Sequence, residues 1–312
     1  MKADTVAAPV KAKGRSSLMN RFLYSSKVAP YVFVLPFVLS FLIFFAYPVF
    51  TTIQMSFQEV LPGQTHYIGL ENYKKLWSDS FLTALLNSSR YTIWTILVLI
   101  PLPLVLAVFL NSKLMKWSSF FRSALFIPSL TSVVVAGTVF RLVFGSLDDA
   151  VMNSFRHLLG LPTLNWLANS SAAMFVLVIL ATWRYTGVNI IYFLSALQSI
   201  PQELYESASI DGANTWQRFW KITLPLLKPV TIYVITISIY GGYSMFTESF
   251  ILWNGNRSPN DIGLTMIGLL YREGIEKNNL GLGSAIGIAL LALTMVLNVI
   301  QLKSFGLFKK ED

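Results

Sequence analysis

Arg184 and Glu248 are the residues with the plainest chemical potential in this chain, because each places a formal charge inside a long apolar run. A charge at the middle of a bilayer costs roughly 2.5–3.5 kcal/mol on insertion scales, so such residues face a cavity or a partner. Arg184 lies about 12 residues, roughly 18 Å, along its run, and Glu248 about 5 residues, roughly 8 Å, from the end of its own. To pair, the arginine must reach outward by about 10 Å, near the limit of its side chain. A structural ion pair, a lining for the route of a polar solute, and lipid exposure all remain open. Trp183, Tyr185, Tyr240, Tyr243 and Trp253 flank the two charges. Aromatic faces cover the C–H patches of a solute while fixed polar groups take its hydroxyls. The same residue types also populate belts at membrane–water interfaces, and Trp253 is expected in such a belt. The candidate pathway residues are Trp183, Arg184, Tyr185, Tyr243 and Glu248.

Other chemistry is largely excluded. The chain has no Cys, so disulfides, thiol catalysis and Cys-ligated metals are ruled out. Its two histidines, His66 and His157, lie far apart in sequence and read as loop residues. No paired carboxylates within the apolar runs supply an acid–base couple. No Gly-x-x-x-x-Gly-Lys-Ser/Thr stretch cradles a phosphate, so the chain carries no ATPase of its own. No catalytic residue, metal site or cofactor is expected in this chain.

The elements that must hold Arg184 and Glu248 are membrane helices. Of 312 residues, 54% are hydrophobic and 12% charged, with a mean hydropathy of +0.58. Soluble domains carry about 25% charged residues, so this chain has too little polar surface to coat a globule of its size. Six stretches reach the roughly 20 apolar residues that span a hydrocarbon core: 28–50, 91–110, 120–140, 172–194, 229–253 and 281–302. The fold expected is all-α and integral to the membrane. The first stretch reads as a retained anchor, because it is long for a signal peptide and no cleavage site follows it. Residues 1–27 form a basic tail, and the membrane-spanning body covers 28–310. Fifteen Lys and Arg residues fall in the segments on the N-terminal side of the membrane and eight in those opposite. The positive-inside rule therefore places both termini in the cytoplasm. The net charge of +9 reflects these basic flanks and calls for no nucleic-acid partner. Pro36, Pro48, Pro101, Pro103 and Pro128 interrupt the first three spans, and Gly241-Gly242 breaks the fifth. Such breaks fit a transporter that flexes and equally fit ordinary kinked helices. A short apolar run, Leu264–Tyr271, is expected to lie as an interfacial or external helix.

Between the fourth and fifth spans, residues 199–228 form a polar, amphipathic cytoplasmic segment more elaborate than a connector needs. Ser199 and Pro201 are suited to start a helix. Leu204 and Ala208 recur at helical spacing, and Asp211-Gly212 supplies a break because Gly adopts positive φ without a Cβ penalty. The chain resumes at Ala213–Lys221 and stops at Pro225 and Pro229. Residues alone leave two readings: a loop resting on lipid headgroups, or a short helix gripped by a soluble partner.

Glu206-Ser207-Ala208, Asp211-Gly212-Ala213 and Ile222-x-Leu224-Pro225 resemble the Glu-Ala-Ala loop of ABC-importer permeases. Ser207 stands where that pattern has its first Ala. Ile68-Gly69-Leu70-Glu71-Asn72-Tyr73, Phe121-Arg122 with Pro128, and Gly281-x-Gly283-Ser284-Ala285 are similar to flanking motifs of the MalF-like class of binding-protein-dependent sugar permeases. From Val28 to about Phe308 the chain resembles that class, and within it the permeases for arabino-oligosaccharides and similar sugars. The resemblance implies a six-helix permease in the bacterial cytoplasmic membrane, with Glu206, Ser207, Ala208, Asp211, Gly212 and Ala213 in the segment that docks an ATPase. It also implies partners: a second homologous permease, two ATP-binding subunits that bind ATP–Mg, an external solute-binding protein, a sugar and membrane lipid. The contrasting reading is a self-contained secondary transporter or channel, which would be larger or visibly repeated.

Overall fold

The computed structural model describes residues 25, 27–61, 63–112 and 115–306. The expected basic tail at 1–27 lies, except for Ser25 and Lys27, outside the described residues, as do Lys113 and 307–310. The chain divides into two compact units, Met1–Gln54 and Met55–Asp312. The first is represented by α1, which begins at Ala29 and runs to Ser56 at the start of the second. Pro36 and Pro48 do not break α1, contrary to expectation. A π turn at Leu42–Ala46 separates them, its wider ring accommodating Pro48, which has no N–H to give.

The second unit starts with a hairpin, β1 (Gln58–Leu61) antiparallel to β2 (Gln64–Tyr67), the one departure from all-α architecture among the described residues. Next come α2 (Glu71–Lys75), α3 (Asp79–Leu99) with α4 (Pro101–Asn111), α5 (Ser118–Leu130) and α6 (Val133–Val143). After them come α7 (Val151–Leu158), α8 (Ser170–Gln198), α9 (Gln202–Ile210), α10 (Thr215–Leu226) and α11 (Lys228–Tyr243). Last are α12 (Thr247–Leu252), α13 (Met266–Tyr271) and α14 (Leu280–Ser304). Among the described residues four helices are long and apolar enough to cross a membrane: α1, α3–α4, α8 and α14. Six crossings result if each bent pair is one span, α5 with α6 at 94° and α10 with α11 at 61°.

The interruption expected at Pro128 within 120–140 takes the form of a sharp bend just after it, between Leu130 and Val133. Arg122 there donates from Nη2 to the Leu110 carbonyl at 3.0 Å, satisfying an orphan acceptor at the end of α4. The second expected span, 91–110, begins a full three turns earlier, because Ser78 caps Asp79–Leu99 by accepting from the Phe81 N–H.

α8 runs through the middle of the packing. Its N-terminal half meets Tyr91, Ala136 and Met245, and its C-terminal half meets Leu104, Leu227 and Val234. Gly187 brings α8 onto α5, where a Cβ would collide with the Leu125 carbonyl oxygen. Asn189, buried in α8, donates from Nδ2 to the Leu99 carbonyl at 3.0 Å. Pro103 has no N–H with which to serve that carbonyl, so the amide replaces a missing helix bond.

A third cluster joins α3, α11, α13 and α14 through Ala84, Tyr243, Met266, Leu269 and Ile286. α13 is therefore buried in the bundle, not resting on an interface as expected. Ser88 accepts from the Met266 N–H, and Asn87 donates to the carbonyls of Asp261 and Leu264. Two of the flanking motifs meet each other: Asn72 donates to the carbonyls of Ser56 and Gln58, and Gly281 leaves room for that same Gln58 carbonyl.

Candidate functional site

α8 presents Ala181, Tyr185, Val188, Asn189 and Tyr192 along one face, at the three- and four-residue spacings of a helix surface. Tyr91, Thr95 and Leu99 of α3 form the facing stripe. Ser129 of α5 and Ile237, Ser238 and Gly241 of α11 close the sides, and Glu248 at the first turn of α12 joins them. Together they enclose a cavity of about 490 Å³. The adjacent glycines of α11 have opposite tasks. Gly241 has open space where a Cβ would stand and lines the cavity, whereas a Cβ on Gly242 would strike Thr92. The break expected at this pair in the fifth span falls just after it, where α11 ends at Tyr243 and the next helix starts at Thr247.

Arg184 donates from Nη1 to Glu248 Oε1 at 2.9 Å, with side chains 12% and 11% exposed. The same nitrogen lies 3.4 Å from the Tyr185 hydroxyl, and the guanidinium carbon sits 5.2 Å from the centre of the Tyr185 ring. The reach of about 10 Å expected from helix arithmetic is removed because the chain leaves helical geometry between Tyr243 and Thr247, which returns Glu248 toward α8. Burying both charges together avoids the several kcal/mol penalty of burying either alone. Arg184 Nε is buried without a hydrogen-bond partner, which leaves one strong donor unspent beside the cavity.

The five candidate pathway residues separate in space. Tyr185 and Glu248 line the cavity, and Arg184 reaches it through Glu248. Trp183 turns away and packs on Phe140 with ring centres 5.8 Å apart. Tyr243 is buried in the third cluster, its hydroxyl 2.8 Å from Ser89 Oγ. Trp253 is half-buried, its indole donating to the Leu167 carbonyl at 2.8 Å and its ring filling the space above Gly263. Sequence reasoning missed Tyr91, Thr95, Ser129, Asn189, Tyr192 and Ser238. Tyr91, Thr95 and Leu99 at four-residue spacing, and an Asn in mid-run, were the signals available.

The connector between α8 and α11 is a helix–turn–helix. Pro201 stands at the N-cap of α9, and Ser199 makes no cap bond, its hydroxyl donating to the Ala196 carbonyl instead. Gly212 takes φ +79°, and the Ala213 N–H returns to the Ala208 carbonyl at 2.8 Å, closing α9 with the expected glycine stop. Asn214 and Gln217 form a capping box that starts α10. The Tyr205 hydroxyl lies 2.9 Å from Thr223 Oγ1 and ties the two helices together. Ser207 donates to the Glu203 carbonyl, while Glu206 and Asp211 are exposed. Ile210 is 87% and Trp216 68% exposed.

The family described as binding-protein-dependent transport system inner membrane component matches residues 13–303. The arabinooligosaccharides transport system permease protein AraP of Bacillus subtilis (strain 168) is 53% identical over 303 residues, covering 97% of this chain and 96% of that protein. The lactose transport system permease protein LacF of Rhizobium radiobacter is 32% identical over 260 residues, 82% of this chain and 85% of that protein. A chain in the crystal structure of a bacterial ABC transporter involved in the import of the acidic polysaccharide alginate superposes with a TM-score of 0.81 at 23% identity, covering 95% of this chain and all of that one. At that identity the likeness is one of fold. The chain belongs to the binding-protein-dependent transport system inner membrane component family, the membrane-embedded permeases of such transporters.

Proposed function

We propose that this chain is one of two permease subunits in an ATP-driven importer of neutral oligosaccharides in the bacterial cytoplasmic membrane. The central cavity carries this reading. Its one pair of charges is mutually neutralised, and hydroxyls and aromatic rings make up the polar remainder. Such a lining suits an uncharged, hydroxyl-rich solute. The names of the AraP and LacF relatives, both transporters of neutral sugars, support the same class. Tyr185, Glu248 and Arg184 are the pathway residues, with Tyr91 and Asn189 added to them. Trp183 and Tyr243 support the walls from behind.

In this reading the chain crosses six times with both termini inside, and the α9–α10 segment is cytoplasmic. Glu206, Ser207, Ala208, Asp211, Gly212 and Ala213 form the docking end for one of two ATP-binding subunits, which bind the ATP–Mg. A second homologous permease completes the pathway, and an external binding protein delivers the sugar. Closure of the ATPase pair pushes α9, and the bend between α10 and α11 passes that motion to the cavity wall.

The test is uptake by the assembled transporter in proteoliposomes. Gly212→Val forces a β-branched side chain into left-handed backbone at about 1–2 kcal/mol, with no neighbour to clash against. Together with Glu206→Ala it should cut uptake and sugar-stimulated ATP hydrolysis at least tenfold while membrane insertion stays normal. Normal uptake in both variants would end the coupling role.

A further inference from the structure

A second cavity, of about 760 Å³, lies in a groove between α3 and α8 and has no place in the transport reading above. One end is polar. Arg90 and Asn87 come from α3, and Ser170 and Ser171 from the first turn of α8. The other end is apolar, formed by Trp94, Phe175, Val178 and Ile179. Thr182 also lies there, but its hydroxyl is spent on the Val178 carbonyl at 2.7 Å, so it offers the groove no free donor. From Ser170 to Thr182 the groove runs about 18 Å along α8. That is close to the roughly 15 Å depth of a single leaflet's hydrocarbon.

Arg90 is exposed and has no ion-pair partner among the described residues. It nevertheless sits within α3–α4, a helix long and apolar enough to span. Arginines in such positions find a counter-charge or a wet cavity, and basic pockets between membrane helices take anionic lipid headgroups. A guanidinium also grips phosphate oxygens two at a time.

We propose that this groove is a binding site for one anionic phospholipid. The phosphate sits on Arg90 and the two serine hydroxyls, and an acyl chain lies against Trp94, Phe175, Val178 and Ile179. The charge at one end matches the headgroup, and the other end, lined by aromatic rings and aliphatic side chains with its threonine hydroxyl already spent, matches a chain of methylenes. A free anion would use only the first half of the groove.

The test uses the full-length chain, delipidated in detergent, titrated with phosphatidylglycerol or phosphatidylcholine and read by native mass spectrometry. Retention of phosphatidylglycerol should exceed that of phosphatidylcholine about fivefold, the factor that one basic residue near a membrane surface contributes. Arg90→Gln should erase the preference, Arg90→Lys should keep it, and Val178→Trp, which fills the apolar end, should lower retention of both lipids. Equal retention by the natural chain and Arg90→Gln would overturn the site. So would displacement of the lipid by inorganic phosphate. So would a photo-crosslinker at position 94 that captures a protein chain, and no lipid, in the assembled transporter.

Discussion

α8 and the α9–α10 segment follow one another in sequence yet meet opposite surroundings. The threonines of α8 bond back to their own helix, but its amide and its charge are answered by other helices of the same chain: Asn189 by the Leu99 carbonyl, Arg184 by Glu248. The polar groups of α9–α10 are answered from within the segment, Ser207 by Glu203, Ser209 by Tyr205, and Arg218 by Ser209. Ile210, Trp216 and Trp220 remain exposed. The segment thus holds its own shape and leaves this apolar surface uncovered. α8 closes its own backbone bonds, but its buried amide and charge depend on its neighbours. Substitutions in α8 should therefore unfold the protein, and substitutions in α9–α10 should leave it folded and unable to work.

The largest effect is expected at the buried pair. Glu248→Ala leaves Arg184 charged and unpaired, which costs about 3–5 kcal/mol when one partner of a buried pair is removed. Thermal unfolding of the full chain in detergent should show the loss. The double variant Arg184→Met with Glu248→Leu should recover most of the stability without recovering transport. An unchanged unfolding temperature in Glu248→Ala would mean that the pair is solvated, and the contrast with the loop would collapse.

Gly187→Ala comes next. The added methyl meets the backbone at Leu125, which cannot rotate away as a side chain would, so overpacking should cost about 1–3 kcal/mol or more. Gly212→Ala makes the matched control, because its Cβ meets open space and only the backbone angle is strained. If the two variants unfold at the same temperature, the close α5–α8 crossing contributes nothing.

Local signals were legible in the sequence. The apolar runs announced helices, and Asp211-Gly212 announced the end of α9, because each depends on residues a turn apart. What required the fold were contacts between distant segments. Gly241-Gly242 carries the same letters whether it breaks a helix or packs one, and only the Thr92 side chain opposite decides. The run Leu264–Tyr271 has the length of an interfacial helix, but Ser88 and Asn87, more than 170 positions earlier, draw it inside. Arg184 and Glu248 were singled out as charges in apolar runs. Their separation was overestimated because depth was counted by helix rise alone, which takes no account of the turn the chain makes at residues 244–246. Tyr91 and Thr95 escaped notice because tyrosine and threonine are unremarkable in a span until a cavity is found beside them.

Ser207 offers the finest test of the contrast. It stands where the permease pattern has alanine, and its hydroxyl turns back to the Glu203 carbonyl at 2.8 Å. Such a back-bond offers the helix nothing that alanine lacks, and Ser costs roughly 0.5 kcal/mol of helix propensity relative to Ala. Ser207→Ala should therefore leave unfolding unchanged or raise it slightly, with uptake and ATP hydrolysis within about twofold of the natural chain if the hydroxyl stays turned inward. A marked fall in ATP hydrolysis with a normal unfolding temperature would place that hydroxyl on the partner. The docking end of α9 would then be read through Ser207 as well as through Glu206, and the self-contained shape of the loop would hide a side chain that changes partners on assembly.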